Sequence, residues 1–490
     1  MKFLQSILNR FGILFGLIVF LLFNLLVDFG EQFYSAKIVA ATALFMSIYW
    51  ITEVIPLSVT SLIPLIIFPI TGVVSSKDIS QSYINSTIFI FMGGFIIAIA
   101  MEKWNLHKRI AMVIISKIGG SPSMLILGFM ISASFISMWI SNTATAVMLL
   151  PIGISIIVKL EEEFGKEKLT NFSKALMLAI AYSCSIGGIA TIIGTPPNLV
   201  FMRIYKISFP NNPQIYFGDW MWFALPIAIS MLFIVWILLT KVFFRIDKNI
   251  FINKSTTKEE INKLGKISFE EKTVLIVFII TSLLWIFRGE LNLGVVKIPG
   301  WSSLFPQKDF IDDGTVAIFM GFLLFVLPTN DKEKKILDSS AIRKIPWDII
   351  LLFGGGFALA EGFVSSGLSK LIGQQFISFK GMNVIFLIAS VSFALTFLTE
   401  LTSNTATAQI TLPILASLAI ELNINPLLIM LPATLSASFA FMLPVATPPN
   451  AIVFSSNRLK IYDMAKTGLA INFIGIIIVT GFIYFFFGLK

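Results

Sequence analysis

Residues 141–151 read Ser141-Asn142-Thr143-Ala144-Thr145-Ala146-Val147-Met148-Leu149-Leu150-Pro151, and 262 residues later the chain repeats them as Ser403-Asn404-Thr405-Ala406-Thr407-Ala408-Gln409-Ile410-Thr411-Leu412-Pro413. Upstream, Phe91-Met92-Gly93-Gly94-Phe95 returns at the same offset as Phe353-Gly354-Gly355-Gly356-Phe357. Downstream, Gly194-Thr195-Pro196-Pro197-Asn198 returns as Ala446-Thr447-Pro448-Pro449-Asn450 at an offset of 252. The ten residues lost between these motifs are accounted for by a polar loop at 160–174, where the second copy has only ELNINP at 421–426. Each half of the chain therefore carries one copy of a single structural unit.

The surroundings of these motifs are those of a membrane protein. Of 490 residues, 56% are hydrophobic and 13% charged, about half the charged share of an ordinary soluble domain. Mean hydropathy is +0.89, and apolar runs of about 20 residues recur, the length that crosses the hydrocarbon core as a helix. A β-barrel is excluded, since its strands are about 10 residues long and alternate. The fold class is all-α and polytopic. Spans are predicted at 8–28, 35–52, 54–74, 86–103, 175–205, 219–244, 272–289, 313–330, 347–363, 426–457 and 463–488, eleven in all. Two further apolar blocks, 122–158 and 383–421, have polar breaks at their middles and read as re-entrant hairpins.

The run from Phe11 is too long, and lacks the small-residue cleavage site, for a secretory signal; it reads as a first helix with its N-terminus inside. On that count Lys241, Arg245, Lys248, Lys254, Lys258, Lys263, Lys266 and Lys272 fall on the cytoplasmic side. So do Lys332, Lys334, Lys335, Arg343, Lys344, Arg458, Lys460 and Lys466, as the positive-inside rule requires. The net charge of +9 is thus a topology signal, and no nucleic-acid partner is expected. Five spans separate the start of one repeat from the start of the next, and an odd number makes the repeats inverted. Inverted repeats with broken helices at matching positions mark secondary transporters that bind at the bilayer midplane.

Non-helical backbone at membrane depth is tolerated only inside protein or along an aqueous cavity. At each hairpin tip Ser, Asn and Thr are good helix caps, and the following helix points free N–H groups and its positive dipole end inward. An anion is the natural ligand there, and two facing tips suit a small dicarboxylate. The paired prolines of the two TPPN breaks remove N–H donors and free carbonyls on the preceding turn. Such carbonyls, with Ser, Thr and Asn oxygens, would ligate Na⁺.

The chain has one cysteine and one histidine, so a metalloprotease constellation is excluded. Cys184 reads as a packed small residue and His107 as interfacial. Glu53, Glu102, Glu361 and Glu400 lie in or at the ends of apolar segments, where ionisable residues are costly. Glu400 directly precedes the second tip, with proton coupling or a buried hydrogen-bonding support as its two readings.

Together, the paired SNT tips followed by GTPPN and ATPPN resemble the divalent anion/sodium symporter family, from about residue 35 to the end. The resemblance implies a homodimeric elevator-type transporter in the cytoplasmic membrane, with scaffold and transport domains. It implies a first Na⁺ site at Ser137, Ser141, Asn142 and Gly194, and a second at Thr399, Thr402, Asn404 and Ala446. Substrate carboxylates are expected on Ser141, Asn142, Thr143, Ser403, Asn404 and Thr405, with Thr195 and Thr447 close by. Divided accordingly, 1–34 is an N-terminal transmembrane helix, 35–104 and 272–365 are scaffold helices, and 105–245 and 366–490 are transport-domain hairpins and helices. Residues 246–271 form a basic cytoplasmic linker. The scaffold helices are expected to form lipid-facing or dimer-forming walls. The expected activity is Na⁺-coupled symport of C4 dicarboxylates such as succinate, malate and fumarate, not an enzymatic reaction. A dicarboxylate exchanger, a tricarboxylate or sulfate symporter, and an anion channel are the alternatives.

Overall fold

A computed structural model of the chain describes residues 2–247, 262, 264–292, 297–376 and 379–488, with the side chains of 2–11 among those left aside. Lys248, Lys254, Lys258 and Lys263 of the expected basic linker lie outside the described residues. Among the described residues the fold is helical, apart from a two-stranded antiparallel pairing of Leu291 with Ile298 and an isolated bridge between Pro328 and Lys335. Among the described residues seven helices are long and apolar enough to cross a membrane.

Several expected spans are broken. The block 54–74 is two short helices, Leu57–Thr60 and Ile63–Ile70; Pro56 sits at its start and Pro64 and Pro69 withhold backbone donors within it. The block 175–205 is Thr170–Gly188 followed by Pro196–Ser208, and 426–457 is Leu427–Ser436 followed by Pro448–Phe454. Each second helix opens on its proline pair, where a missing N–H costs nothing. A helix at Leu106–Ile118 precedes the first hairpin; its mixture of apolar and basic residues, LHKRIAMVIISKI, kept it out of the hydropathy spans. His107 there is buried, its Nδ1 3.0 Å from the Met101 carbonyl.

Both hairpins form. The first is Pro122–Ser137 and Asn142–Phe164, the second Val384–Thr399 and Asn404–Leu422. In the first, Ser121 caps the opening arm by accepting from the Met124 N–H, and Ser141 caps the returning arm by accepting from the Ala144 N–H. The second tip departs from expectation, because Ser403 makes no capping bond with its side chain.

The remaining helices pair across the repeats. Helix Ser86–Lys103 runs along Asp313–Val326, so closely that a Cβ on Gly93 would lie 2.5 Å from the Ala317 carbonyl oxygen. Reciprocally, helix Trp347–Ser365 packs on the Leu57–Thr60 segment, where a Cβ on Gly355 would lie 2.7 Å from the Ser61 carbonyl oxygen. These are equivalent glycines of the repeated FxGGF motif, each the only residue type that lets the backbones approach so closely. A separate apolar cluster containing Val39, Trp50, Phe68, Tyr83, Leu359 and Phe363 joins the early helices to Trp347–Ser365. Of the most apolar windows of Ser76–Lys103 and Trp347–Ser365, 67% is buried. Both are interior over most of their surface, because the glycine faces draw them into cross-repeat packing; of the two alternatives, lipid-facing or dimer-forming, the lipid-facing one does not describe these two helices.

The basic segments are pinned by ion pairs. Arg109 makes two bonds to Glu271 and also donates to the carbonyls of Leu264 and Gly265, Arg458 pairs with Glu161, Lys174 with Asp463 and Lys103 with Asp338. Hydrogen bonds from Ser340, and then Lys103, hold the Asp338 carboxyl below the usual carboxylate range.

Candidate functional site

The two tips and the two helix breaks converge on one cavity of about 780 Å³. Ser141, Asn142 and Thr143 line it from the first tip, and Thr402, Ser403, Asn404 and Thr405 from the second. Gly194 and Thr195 enter from one break, Ala446 and Thr447 from the other. Of the expected site residues only Ser137 and Thr399 do not line the cavity. Both are fully buried just beneath it.

Each repeat builds the same local geometry. The Ser137 hydroxyl donates to Asn142 Oδ1 at 2.5 Å, and its equivalent, the Thr399 hydroxyl, lies 2.7 Å from Asn404 Oδ1. Beneath the breaks, Asn198 Nδ2 donates to the carbonyls of Gly188 and Thr191 at 3.3 and 2.7 Å. Asn450 Nδ2 donates to those of Ala440 and Leu443, both at 3.0 Å. These partners match one for one at the 252-residue offset. The asparagine of each TPPN motif is therefore the clamp that ties off carbonyls of the unwound backbone, so they are satisfied without a helix. Sequence reasoning gave these two asparagines no role, although their duplication beside the proline pairs was the available signal.

The capping pattern is crossed. Ser141 and Thr447 each cap a helix by accepting a backbone N–H, while Ser403 and Thr195, their partners in the other repeat, do not. Thr195 is buried, and its hydroxyl makes no capping bond. Among the described residues the uncommitted cavity hydroxyls are thus those of Thr143 and Thr195 in the first repeat and of Ser403 and Thr405 in the second.

Oxygen donors suited to a hard cation gather below each tip. Asn142 Oδ1, Ser137 Oγ and the Gly188 and Gly194 carbonyls are so close that a Cβ on Gly188 would sit 2.8 Å from Asn142 Oδ1 and 3.2 Å from the Gly194 carbonyl oxygen. In the second repeat the Thr399 hydroxyl stands between Asn404 Oδ1 and the Ala437 carbonyl, 2.8 Å away. The Thr402 hydroxyl is already engaged with Leu398 and Thr407.

Apart from Thr52, Glu53 and Glu400, the rest of the lining is mainly apolar, with Phe91, Phe95, Trp139, Ile193, Ile349, Leu401 and Val445 prominent; Phe91 and Phe95 belong to the duplicated FxGGF motif, whereas Trp139, Ile193, Ile349, Leu401 and Val445 carry no signal that sequence reading would flag. Glu53, at the C-terminal cap of helix Tyr34–Thr52, also faces the cavity, in the left-handed region at φ 49°. Glu102 is exposed at the end of its helix, and Glu361 is outside the cavity lining. No Lys, Arg or His lines the cavity among the described residues.

Comparison with known proteins agrees with this architecture. Residues 10–489 match the family described as the sodium:sulfate symporter transmembrane region. The sodium-dependent dicarboxylate transporter SdcS of Staphylococcus saprophyticus is 40% identical over 481 residues, covering 97% of this chain and 90% of that protein. SdcS of Staphylococcus aureus is similar to the same extent. Among solved structures, the Alcanivorax borkumensis YdaH transporter matches with a TM-score of 0.58 at 11% identity, covering 92% of this chain and 97% of that one. Neisseria gonorrhoeae MtrF, described with a class of antimetabolite efflux pumps, matches with a TM-score of 0.56 at 12% identity, covering 86% of this chain and 83% of that one. At such identities these two likenesses speak for the fold alone. With the match running from residue 10 almost to the C-terminus and the helices folded as a multi-pass membrane protein, the chain belongs to the sodium:sulfate symporter family.

Proposed function

We propose that the protein is a secondary transporter that couples Na⁺ to the uptake of C4 dicarboxylates such as succinate, malate and fumarate across the cytoplasmic membrane. One observation carries the reading: an anion-suited cavity framed by two duplicated tips is lined, among the described residues, by no cationic side chain. The two helix N-termini supply only partial positive charge, about half an elementary charge each. A dianion brought to membrane depth is therefore left largely uncompensated unless cations accompany it, and an uncompensated charge there costs several kcal/mol. Na⁺ at the oxygen clusters beneath Asn142 and Asn404 would provide that compensation. Binding of Na⁺ before substrate follows, since it converts a repulsive site into an attractive one. The name borne by the 40% identical relatives, sodium-dependent dicarboxylate transporter, supports both ion and substrate class.

In this reading the first Na⁺ is held by Ser137, Ser141, Asn142 and Gly194, and the second by Thr399, Thr402, Asn404 and Ala446. The substrate carboxylates meet Ser141, Asn142, Thr143, Thr195, Ser403, Asn404, Thr405 and Thr447. The uncommitted hydroxyls of Thr195 and Ser403 are free to donate to them. The apolar wall at Phe91, Phe95 and Ile193 suits the carbon backbone of the substrate.

The reading includes eleven crossings, inverted repeats, two re-entrant hairpins and a homodimer, in which the hairpins and broken helices move as a body against the scaffold. An asymmetry between the repeats supports the motion. Gly94 of the scaffold faces Ile193, at the break itself, whereas its equivalent Gly356 faces Gln409, along the returning arm of the hairpin. The same scaffold position thus meets different depths of the mobile unit in the two repeats, as an elevator caught at one end of its travel requires. Ile51, Glu53, Leu57 and Ile349 border the cavity, at helix ends that the charge rule puts in the cytoplasm, which supports an inward-open state.

Uptake of labelled succinate into proteoliposomes, with and without an inward Na⁺ gradient and with citrate and sulfate as competitors, tests the reading. Na⁺-dependent, saturable accumulation inhibited by other C4 dicarboxylates is expected. Accumulation without Na⁺, or sulfate competing better than fumarate, would overturn it.

A further inference from the structure

The two repeats differ at one position with an electrostatic consequence. Glu400, the residue after Thr399, is 4% exposed and accepts hydrogen bonds from the N–H groups of Phe441, Met442 and Leu443 at 2.7, 2.9 and 3.2 Å. Asn472 Nδ2 donates to it as well, at 2.8 Å. All four partners are donors, the arrangement that an ionised carboxylate accepts. At the 262-residue offset the first repeat has Met138 in this place. The equivalent unwound segment, 189–191, is held there by the Thr191 hydroxyl donating to the Met138 carbonyl at 2.5 Å, and Trp220 Nε1 donates to the Ile189 carbonyl at 3.0 Å. No carboxylate takes part.

The segment held by Glu400 leads directly to the second oxygen cluster. Its N–H groups are fixed by the carboxylate and its carbonyls, at Ala440 and Leu443, by Asn450. Ala446 follows three residues after Leu443, and Glu400 itself directly follows Thr399 and lies two residues before Thr402. None of the ion pairs among the described residues involves Glu400. A buried anion without a cationic partner is costly, and a cation bound within a few ångströms would relieve that cost.

We propose that Glu400 is a positioning residue that holds segment 441–443 in its unwound form and adds a negative charge beside the second cation cluster, so that the second repeat binds its Na⁺ more tightly than the first. This rests on the Na⁺-coupled reading above. The two cation sites are then unequal despite their duplicated tips, and filling is ordered, with the second repeat's site occupied at the lower Na⁺ concentration.

The test uses full-length protein, purified and reconstituted, as Glu400→Gln and Asn472→Ala. Gln keeps the size but removes the charge and presents an NH₂ to donors it cannot bond. For Glu400→Gln, the Na⁺ concentration giving half-maximal succinate uptake should rise about tenfold, a loss in the range of one charge-assisted hydrogen bond. KM for succinate at saturating Na⁺ should change less than about threefold, since substrate meets other residues. Na⁺-induced thermal stabilisation, measured without substrate, should shrink. Asn472→Ala should shift Na⁺ activation in the same direction by less. An unchanged Na⁺ activation curve in Glu400→Gln overturns the proposal. So does an equal loss of succinate and Na⁺ affinity, the mark of a merely structural brace. If Glu400→Gln does not reach the membrane, unchanged Na⁺ activation in Asn472→Ala overturns it. Should the wild type itself show no Na⁺-dependent uptake, the functional reading falls, while Na⁺-induced stabilisation of wild type and variants still decides on Glu400.

Discussion

Phe91 and Phe353, equivalent residues of the two repeats, touch each other edge to face with ring centroids 4.9 Å apart. A residue in contact with its own repeat mate lies at the axis relating the repeats. Phe91 also lines the cavity, so the site is built at that axis, where both copies can contribute the same groups from opposite sides.

Asn142→Ala and Asn404→Ala should each abolish measurable uptake while leaving membrane insertion intact. Each amide is assigned to ion and substrate together, and hydrogen bonds to a charged ligand are worth roughly 1.5–3 kcal/mol, about tenfold to a hundredfold in affinity. Transport assays with matched surface expression check this; near wild-type uptake by either variant contradicts the site.

Replacing Na⁺ by K⁺ or choline should remove accumulation, and a pH gradient alone should not restore it. The measurement is succinate accumulation under each imposed gradient. Undiminished proton-driven uptake would instead give Glu400 a coupling role.

The proposed elevator motion can be tested by trapping it at a defined contact. A Cβ on Gly94 would lie 3.9 Å from the Ile193 Cβ, inside the 3.5–4.5 Å range of disulfides. In a Cys184→Ala background, the pair Gly94→Cys and Ile193→Cys should crosslink under oxidation and stop uptake, with recovery on reduction. Full uptake by protein shown to be crosslinked would replace the elevator with a local gating motion.

Thr195→Val should raise KM for succinate several-fold with little change in stability, because its hydroxyl is uncommitted and buried beside the cavity. Thr447→Val should also lower the thermal midpoint, because that hydroxyl caps helix Pro448–Phe454, and a lost cap costs about 0.5–2 kcal/mol. Kinetics and thermal unfolding on the two variants separate the roles.

Away from the site, Arg288 and Asp313 form a buried ion pair at 2.5 Å, with Arg288 also donating to the Ile311 carbonyl and lying over the Tyr216 ring. Arg288→Ala leaves Asp313 buried without its partner and should destabilise the protein by about 3–5 kcal/mol. A lowered thermal midpoint with Na⁺ activation unchanged is the expected outcome.

The amino-acid sequence by itself determined the membrane class, the duplication and the positions of both hairpin tips and both proline breaks; the family resemblance of those motifs implied thirteen candidate residues, of which all but Ser137 and Thr399 line one cavity. These features are local or periodic: apolar run length, a Ser-Asn-Thr tip, a proline pair without N–H donors. Tertiary structure alone decided what depends on distant partners. It split 54–74, buried the glycine-faced helices that hydropathy would have placed against lipid, and gave Asn198 and Asn450 carbonyls to clamp. It also brought Glu400 to the N–H groups of a segment 41 to 43 residues away and to Asn472, 72 residues away. The physical reason is that a carboxylate's neighbours are chosen by how helices pack, and in a membrane interior every unwound N–H must find such a neighbour, wherever in the chain it lies.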